Sequence, residues 1–214
     1  MPRQLPVLVC FALKEEAAPF RKIVADQRDA AVLLTGVGQE NARTSVADVL
    51  AQQSPSLVLT CGFAGGLDSA LPVGAVVFET SQLELWERLS NAGAVPVKFF
   101  CASRIAITAK EKRTLRSSTQ ADAVEMESEA IHTLCRERRI PCATVRAISD
   151  TANEDLPLDF NQLARPDWTM DYCRLALAVA KAPGTIPALL RLQRNCRVAA
   201  ERLAEVLVKI IASR

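Results

Sequence analysis

Three acidic segments of this chain stand where carboxylates could work together. Lys14-Glu15-Glu16 follows one apolar run, Glu125-Met126-Glu127 follows a valine, and Ser149-Asp150 closes another apolar run. Carboxylates accept and return protons when burial or neighbouring charge tunes them. Two glycine-containing segments accompany them, Gly36-Val37-Gly38-Gln39-Glu40-Asn41 and Gly62-Phe63-Ala64-Gly65-Gly66. Each element also has a plainer use. Glu16 at a helix start favours the helix dipole, the glycines suit tight turns, and Ser149-Asp150 suits a helix N-cap. No complete Gly-x-Gly-x-x-Gly pattern occurs, which rejects a dinucleotide fingerprint. His132, the only histidine, reads as a structural or surface residue and Cys61 as packing. Trp86 and Trp168 read as core, lid or interface residues.

Whether the acids meet depends on the elements that carry them. Residues 5–13, 29–38 and 55–66 are apolar runs of strand length, the last two ending at glycines. Residues 75–83 and 102–108 read as further strands, and 84–100 gives no clear pattern. KEKRTLRSS reads as a solvated helix, ADAVEMESEAIHTLCRERR as a short strand entering a helix, and IPCATVRAISDTA as another buried strand. From about residue 167 the tail reads as helical, interrupted at 182–187. Buried strands alternating with helices predict an α/β fold with a largely parallel sheet, and one domain over residues 1–214. Ligands bind beyond the carboxyl ends of such strands. The three acidic segments are therefore expected to converge on one edge of the sheet.

Composition narrows the classes. Half of the 214 residues are hydrophobic and 23% are charged, which supports a packed core. The net charge is +2, with 26 cations scattered among 24 acids, so nucleic acid is not an expected partner. Seven cysteines, with no C-x-x-C pair, give neither a metal site nor a disulfide framework. No signal peptide is read at the start, and no apolar run reaches the roughly 20 residues of a membrane span. The expectation is a cytoplasmic protein with no metal and no membrane span.

In their order along nearly the whole chain, ALKEEAAPF, TGVGQENA, CGFAGGLDSALPVGAVV, AVEMESEA and VRAISDTAN resemble the purine nucleoside phosphorylase and methylthioadenosine/S-adenosylhomocysteine nucleosidase superfamily. The resemblance implies a three-layer fold, a central mixed and largely parallel twisted sheet flanked by helices. It implies a purine nucleoside as small-molecule substrate and a homo-oligomer, most simply a two-fold dimer. No cofactor is implied, though phosphate is a possible co-substrate. Carried over to this chain, Glu127 would accept hydrogen bonds from the ribose hydroxyls, Met126 would lie against the sugar, and Glu125 would support them. Asp150 would protonate purine N7, oriented by Ser149, and would need an apolar or acid-crowded site to hold that proton. Glu16 would activate water. Phe63, Ala64 and Gly65 would border the sugar and nucleophile, and Ile105 and Ala106 the adenine. Phe63 stands where the family has a small hydroxyl residue, which leaves a nucleoside-binding member without catalysis as another reading. The arginine positions of phosphorylases hold Leu13-Lys14 and Leu59-Thr60, which favours hydrolysis over phosphorolysis, with Arg43 a weak substitute. CASRIAITAKEKRTL and the tail from Trp168 resemble the hopanoid-associated branch, thought to remove adenine from adenosylhopane. That likeness implies an open, apolar 5′ pocket walled by residues 84–100 and 156–190.

Overall fold

In the computed structural model of the protein, residues 3–5, 7–24 and 29–212 are described. The first half runs β1 (Arg3–Leu5), β2 (Val7–Phe11), α1 (Lys14–Ile23), β3 (Ala30–Leu34), α2 (Gln39–Gln52), β4 (Gln53–Pro55), β5 (Val58–Gly66), β6 (Val76–Glu79), α3 (Leu83–Asn91) and β7 (Val95–Pro96). The second runs β8 (Phe99–Cys101), α4 (Ala109–Thr119), β9 (Ala123–Glu125), α5 (Ser128–Glu137), β10 (Cys142–Asp150), α6 (Phe160–Leu163), α7 (Tyr172–Lys181) and α8 (Ile186–Ala212).

The main sheet has the order β3-β2-β5-β10-β6-β7, with β9 pairing both β5 and β8. Its strands pair in parallel except at β10–β6 and β5–β9. The fold is thus α/β with a mixed, mostly parallel sheet between helices, as the sequence predicts. Strand alternation builds the two cores. Val7, Val9 and Phe11 of β2 join Phe20 of α1 and Leu203 and Leu207 of α8. Leu8 and Cys10 point the other way, to Ala42 and Val46 of α2 and Ile131 and Leu134 of α5. Strands buried on both faces read as continuous apolar runs, which is why β2, β5 and β10 are visible in the sequence.

Two expectations are corrected, and one span without a clear pattern takes its place in the fold. Residues 102–108 are not a strand; the strand is Phe99–Cys101, and 102–108 is an irregular loop leading to the Thr108 N-cap of α4. Gly62–Gly66 is not a turn, because β5 continues through Gly66, pairing with β10 and β9. Residues 84–100 form α3, β7 and β8, and Leu85 and Leu89 of α3 pack into the core. The expected first strand is observed as Val7–Phe11, and Pro6 lies outside the described residues.

Candidate active site

Because β2, β5 and β10 are parallel neighbours, their carboxyl ends open on one edge. Glu16 follows β2 on the first turn of α1, Phe63–Gly65 end β5, and Ser149–Asp150 end β10. Glu127 is the N-cap of α5, just after β9. These residues line one cavity of about 200 Å³ together with Glu125, Met126, Ala64, Ile105 and Ala106. All eleven residues singled out by sequence are therefore brought together. Leu13, Val37, Arg104, Val124 and Leu156 complete most of the wall. A larger hollow of about 760 Å³ lies elsewhere, between β8, α5 and the Thr80 loop, and includes His132. It holds none of the convergent acids, so size alone does not locate the chemistry.

An arginine that sequence reasoning passed over organises the acids. Arg146 of β10 is 1% exposed; its guanidinium lies 2.7 Å from Glu125 and 3.1 Å from Glu127. It also donates to the Cys61 carbonyl and the Thr60 hydroxyl. Glu16 approaches the same guanidinium across Gly62. A Cβ at Gly62, whose φ is +149°, would fall 2.6 Å from Arg146 Nη1 and 2.7 Å from Glu16 Oε1. Only glycine permits that approach.

The three glutamates differ in what they accept. Glu125 takes the Arg146 guanidinium, the Ser128 hydroxyl at 2.6 Å, and the amides of Glu127 and Ser128. Burial would raise its proton affinity, but Arg146 and these donors hold it below the usual carboxylate range. Glu127 takes the Gly38 amide at 2.9 Å besides Arg146. Burial and then the Glu125 charge outweigh Arg146 and push Glu127 up. Glu16 accepts the amides of Phe63 and Leu13, at 2.8 and 2.9 Å. Burial raises it to about 7, against the pull of Arg146 and the two amides. The Phe63 contribution to Glu16 is a backbone amide, which its phenyl ring leaves untouched; the ring packs on the core.

Asp150 departs from expectation. Its neighbour is neither apolar nor acidic but the ammonium of Lys112, 2.5 Å from Oδ2. Lys112 is 0% exposed and also donates to the carbonyls of Thr151 and Glu154, at 2.7 and 3.0 Å. Its three N–H bonds are thereby all used. The Ser149 hydroxyl donates to Asp150 Oδ1 at 2.7 Å. The helix KEKRTLRSS is thus not solvated on every side. Its one leucine, Leu115, marks the inward face, and Lys112 lies three residues earlier on that face.

Other expectations fall outside the cavity. Lys14 is largely exposed and paired with Glu15, and Arg43 is exposed on α2; neither lines it. Arg104 is the only cation among its lining residues, and it reaches outward to Glu111. Of the proposed outer walls, residues 84–100 do not line this cavity and only Leu156 comes from 156–190. His132 bonds Thr144 on the far side of β10. Trp168 lies against Gly38, the loop that donates to Glu127. No group of three or more His, Cys, Asp or Glu suited to a metal ion occurs among the described residues.

The model of the phosphorylase superfamily matches residues 95–181, which include α4, the Glu-Met-Glu segment and Asp150. Over that span the chain is similar to the phosphorylase superfamily. The chain is 29% identical over 168 residues to a 5′-methylthioadenosine/S-adenosylhomocysteine nucleosidase of Glaesserella parasuis, covering 63% of this chain and 73% of that one. Its fold matches the futalosine hydrolase of Helicobacter pylori with a TM-score of 0.74, at 15% identity and 98% coverage of both chains. It matches a nucleosidase of Neisseria meningitidis, solved with methylthio-immucillin-A, with a TM-score of 0.72, at 20% identity over 98% of this chain and 99% of that one.

Proposed function

We propose that the protein hydrolyses the N-glycosidic bond of a purine nucleoside derivative, releasing adenine. The observation that carries this reading is the cavity's charge: three buried glutamates share one guanidinium, and Glu16 is poised near neutrality. A base that titrates near the working pH accepts a proton from water efficiently. The same excess of carboxylate repels a phosphate dianion and favours a sugar that gains positive charge as its bond to the base breaks. Glu16 takes the proton of the attacking water. Glu127, whose oxygens keep free lone pairs, accepts the ribose hydroxyls, and Met126 packs on the sugar. Asp150, oriented by Ser149 beside Lys112, delivers a proton to N7 of the leaving purine as the glycosidic bond breaks, so that adenine departs neutral while Glu16 holds the proton taken from water. Ala64 and Gly65 floor the sugar pocket, and Ile105 and Ala106 flank the base.

The names of the relatives support hydrolysis of this bond. So does β5, because its Ala64 and Gly65 belong to a strand ladder and not to a loop of outward amides that would cradle phosphate. The 5′ substituent we assign is large and apolar, as in adenosylhopane. An apolar groove of about 550 Å³ adjoins the cavity and shares Arg104 and Ala106 with it. The whole chain acts as one domain, as a homodimer, in the reducing cytoplasm that its seven unpaired thiols suit.

Phosphorolysis has one observation in its favour, Arg104 at the rim. Adenine release from several 5′-substituted adenosines, measured with and without phosphate, separates the readings. We expect free ribosyl product and a rate independent of phosphate. Phosphate dependence with a sugar-1-phosphate product would make Arg104 the anion ligand. No release from any of them would leave a nucleoside-binding protein.

A further inference from the structure

The helices at the end of the chain carry a surface that the cavity does not use. Between Asp171 and Glu201 lie five cations and no acid, although the whole chain holds 26 cations to 24 acids. Helix α7 has no buried residue. All ten of its residues are apolar except Arg174 and Lys181, which are seven apart and so fall on one line of the helix. Tyr172 and Leu177 are 72% and 55% exposed. In α8, Ile186, Leu190 and Arg194 follow at intervals of four and form one outward stripe, with Ile186 and Leu190 43% and 53% exposed. The opposite face of the same turns places Ala188, Leu192 and Asn195 on a small cleft that reaches Asp150. Arg174 and Arg197 reach Asp171 and Glu201, at 3.6 and 3.0 Å, whereas Lys181 and Arg194 form no ion pair among the described residues.

No single helix among the described residues is long and apolar enough to cross a membrane. Together α7 and the helical stretch Pro183–Ala212 carry that apolarity, but they bend by 103° at the break. Exposed apolar side chains interspersed with five cations and no acid between Asp171 and Glu201 suit a helix pair lying on a lipid surface, with the cations among the headgroups.

We propose that the α7–α8 corner docks the protein on anionic lipid bilayers. A second copy of the chain fits this face less well, because it would set cations against cations. Docking would bring the small cleft between α8 and Asp150 to the membrane, where an apolar nucleoside partitions. The proposal does not depend on the hydrolase reading, since its test measures binding.

The full chain is floated with vesicles of phosphatidylcholine alone and of phosphatidylcholine with phosphatidylglycerol. Binding is expected only to the anionic vesicles and should weaken with added salt. Each cation near an anionic surface strengthens partition about fivefold, so Lys181→Glu with Arg194→Glu should weaken it at least about twentyfold. Leu177→Ser with Leu190→Ser should weaken it as well, and both variants should keep wild-type adenine release from a water-soluble nucleoside. Should the variants fail to fold, an environment-sensitive dye on Cys173, exposed on α7, reports on the wild-type face directly; a blue shift with anionic vesicles is expected. Failure to bind anionic vesicles, binding insensitive to the charge reversals, or an unshifted dye would overturn the proposal. So would a serine variant that splits an oligomer, since a second copy would then cover the face.

Discussion

Replacing Glu16 by glutamine should abolish turnover and also remove a pH-dependent folding penalty. Burial lifts the Glu16 carboxyl from 4.5 to about 7, against the Arg146 charge and two backbone amides. The folded chain therefore holds this proton more tightly than the unfolded chain. The stability linked to it is fully present below the unfolded value and is lost as pH rises towards about 7, beyond which the penalty is complete. At about 1.4 kcal/mol for each tenfold in proton affinity, the rise corresponds to about 3 kcal/mol. Glutamine has one acceptor oxygen where the carboxylate has two, so the amide of Leu13 or of Phe63 loses its partner, at about 1–3 kcal/mol. That loss does not vary with pH, so the pH dependence isolates the carboxylate. Urea unfolding at about pH 5 and about pH 8 should show the stability difference moving by about 2–3 kcal/mol in the variant's favour at the higher pH. The wild-type kcat/KM should climb through pH about 7, and the variant should lose about 100- to 10,000-fold. A stability difference that stays constant with pH would refute the tightly held proton, and the base assignment with it.

Three further outcomes follow from the geometry. Asp150→Asn should lower adenine release at least about a hundredfold and also destabilise the chain to urea, because a neutral amide replaces the partner of the buried Lys112 ammonium; adding Lys112→Met should restore stability without restoring turnover. Gly62→Ala should lower stability by about 1–3 kcal/mol and impair catalysis, since its Cβ would press on both Arg146 and Glu16, seen by thermal melting and adenine release. Sedimentation equilibrium at micromolar concentrations should give twice the 23.2 kDa of one chain, and a single-chain mass would count against the dimer.

The buried strands were legible because burial on both faces removes alternation and leaves runs such as VLVCF and CATVRAISD. Their parallel order then forced the acids to one edge, so all eleven residues converge. The loop 102–108 misled because Ile105 and Ile107 alternate like a strand, while its backbone is committed to capping α4 through Thr108 and Glu111. Two cations were missed for a shared reason. Lys112 and Arg146 are the kinds of residue expected at the surface, and only the third dimension supplies the carboxylates that allow their burial. Arg146 did leave a signal, a cation inside the apolar run TVRAI, which a buried strand tolerates only beside acids. Lys112 left a fainter one, its spacing from Leu115.

The Glu-Met-Glu segment shows why spacing alone could not divide the labour between its two acids. Glu125 is the last residue of β9 and folds back on the start of α5, where Ser128 and two amides saturate it. It consumes the better share of the Arg146 charge, at 2.7 Å. Glu127, only two residues on, is left at 3.1 Å with a single amide besides. Its charge is therefore the one that the protein satisfies least, and the same holds for Glu16 on the other side of Gly62. A ligand that brings hydroxyl donors and then develops positive charge relieves this deficit more in its transition state than on binding, which is the condition for catalysis as opposed to affinity. On the proposed reading the saturated glutamate fixes the arginine, and the two less satisfied ones serve the sugar and the water.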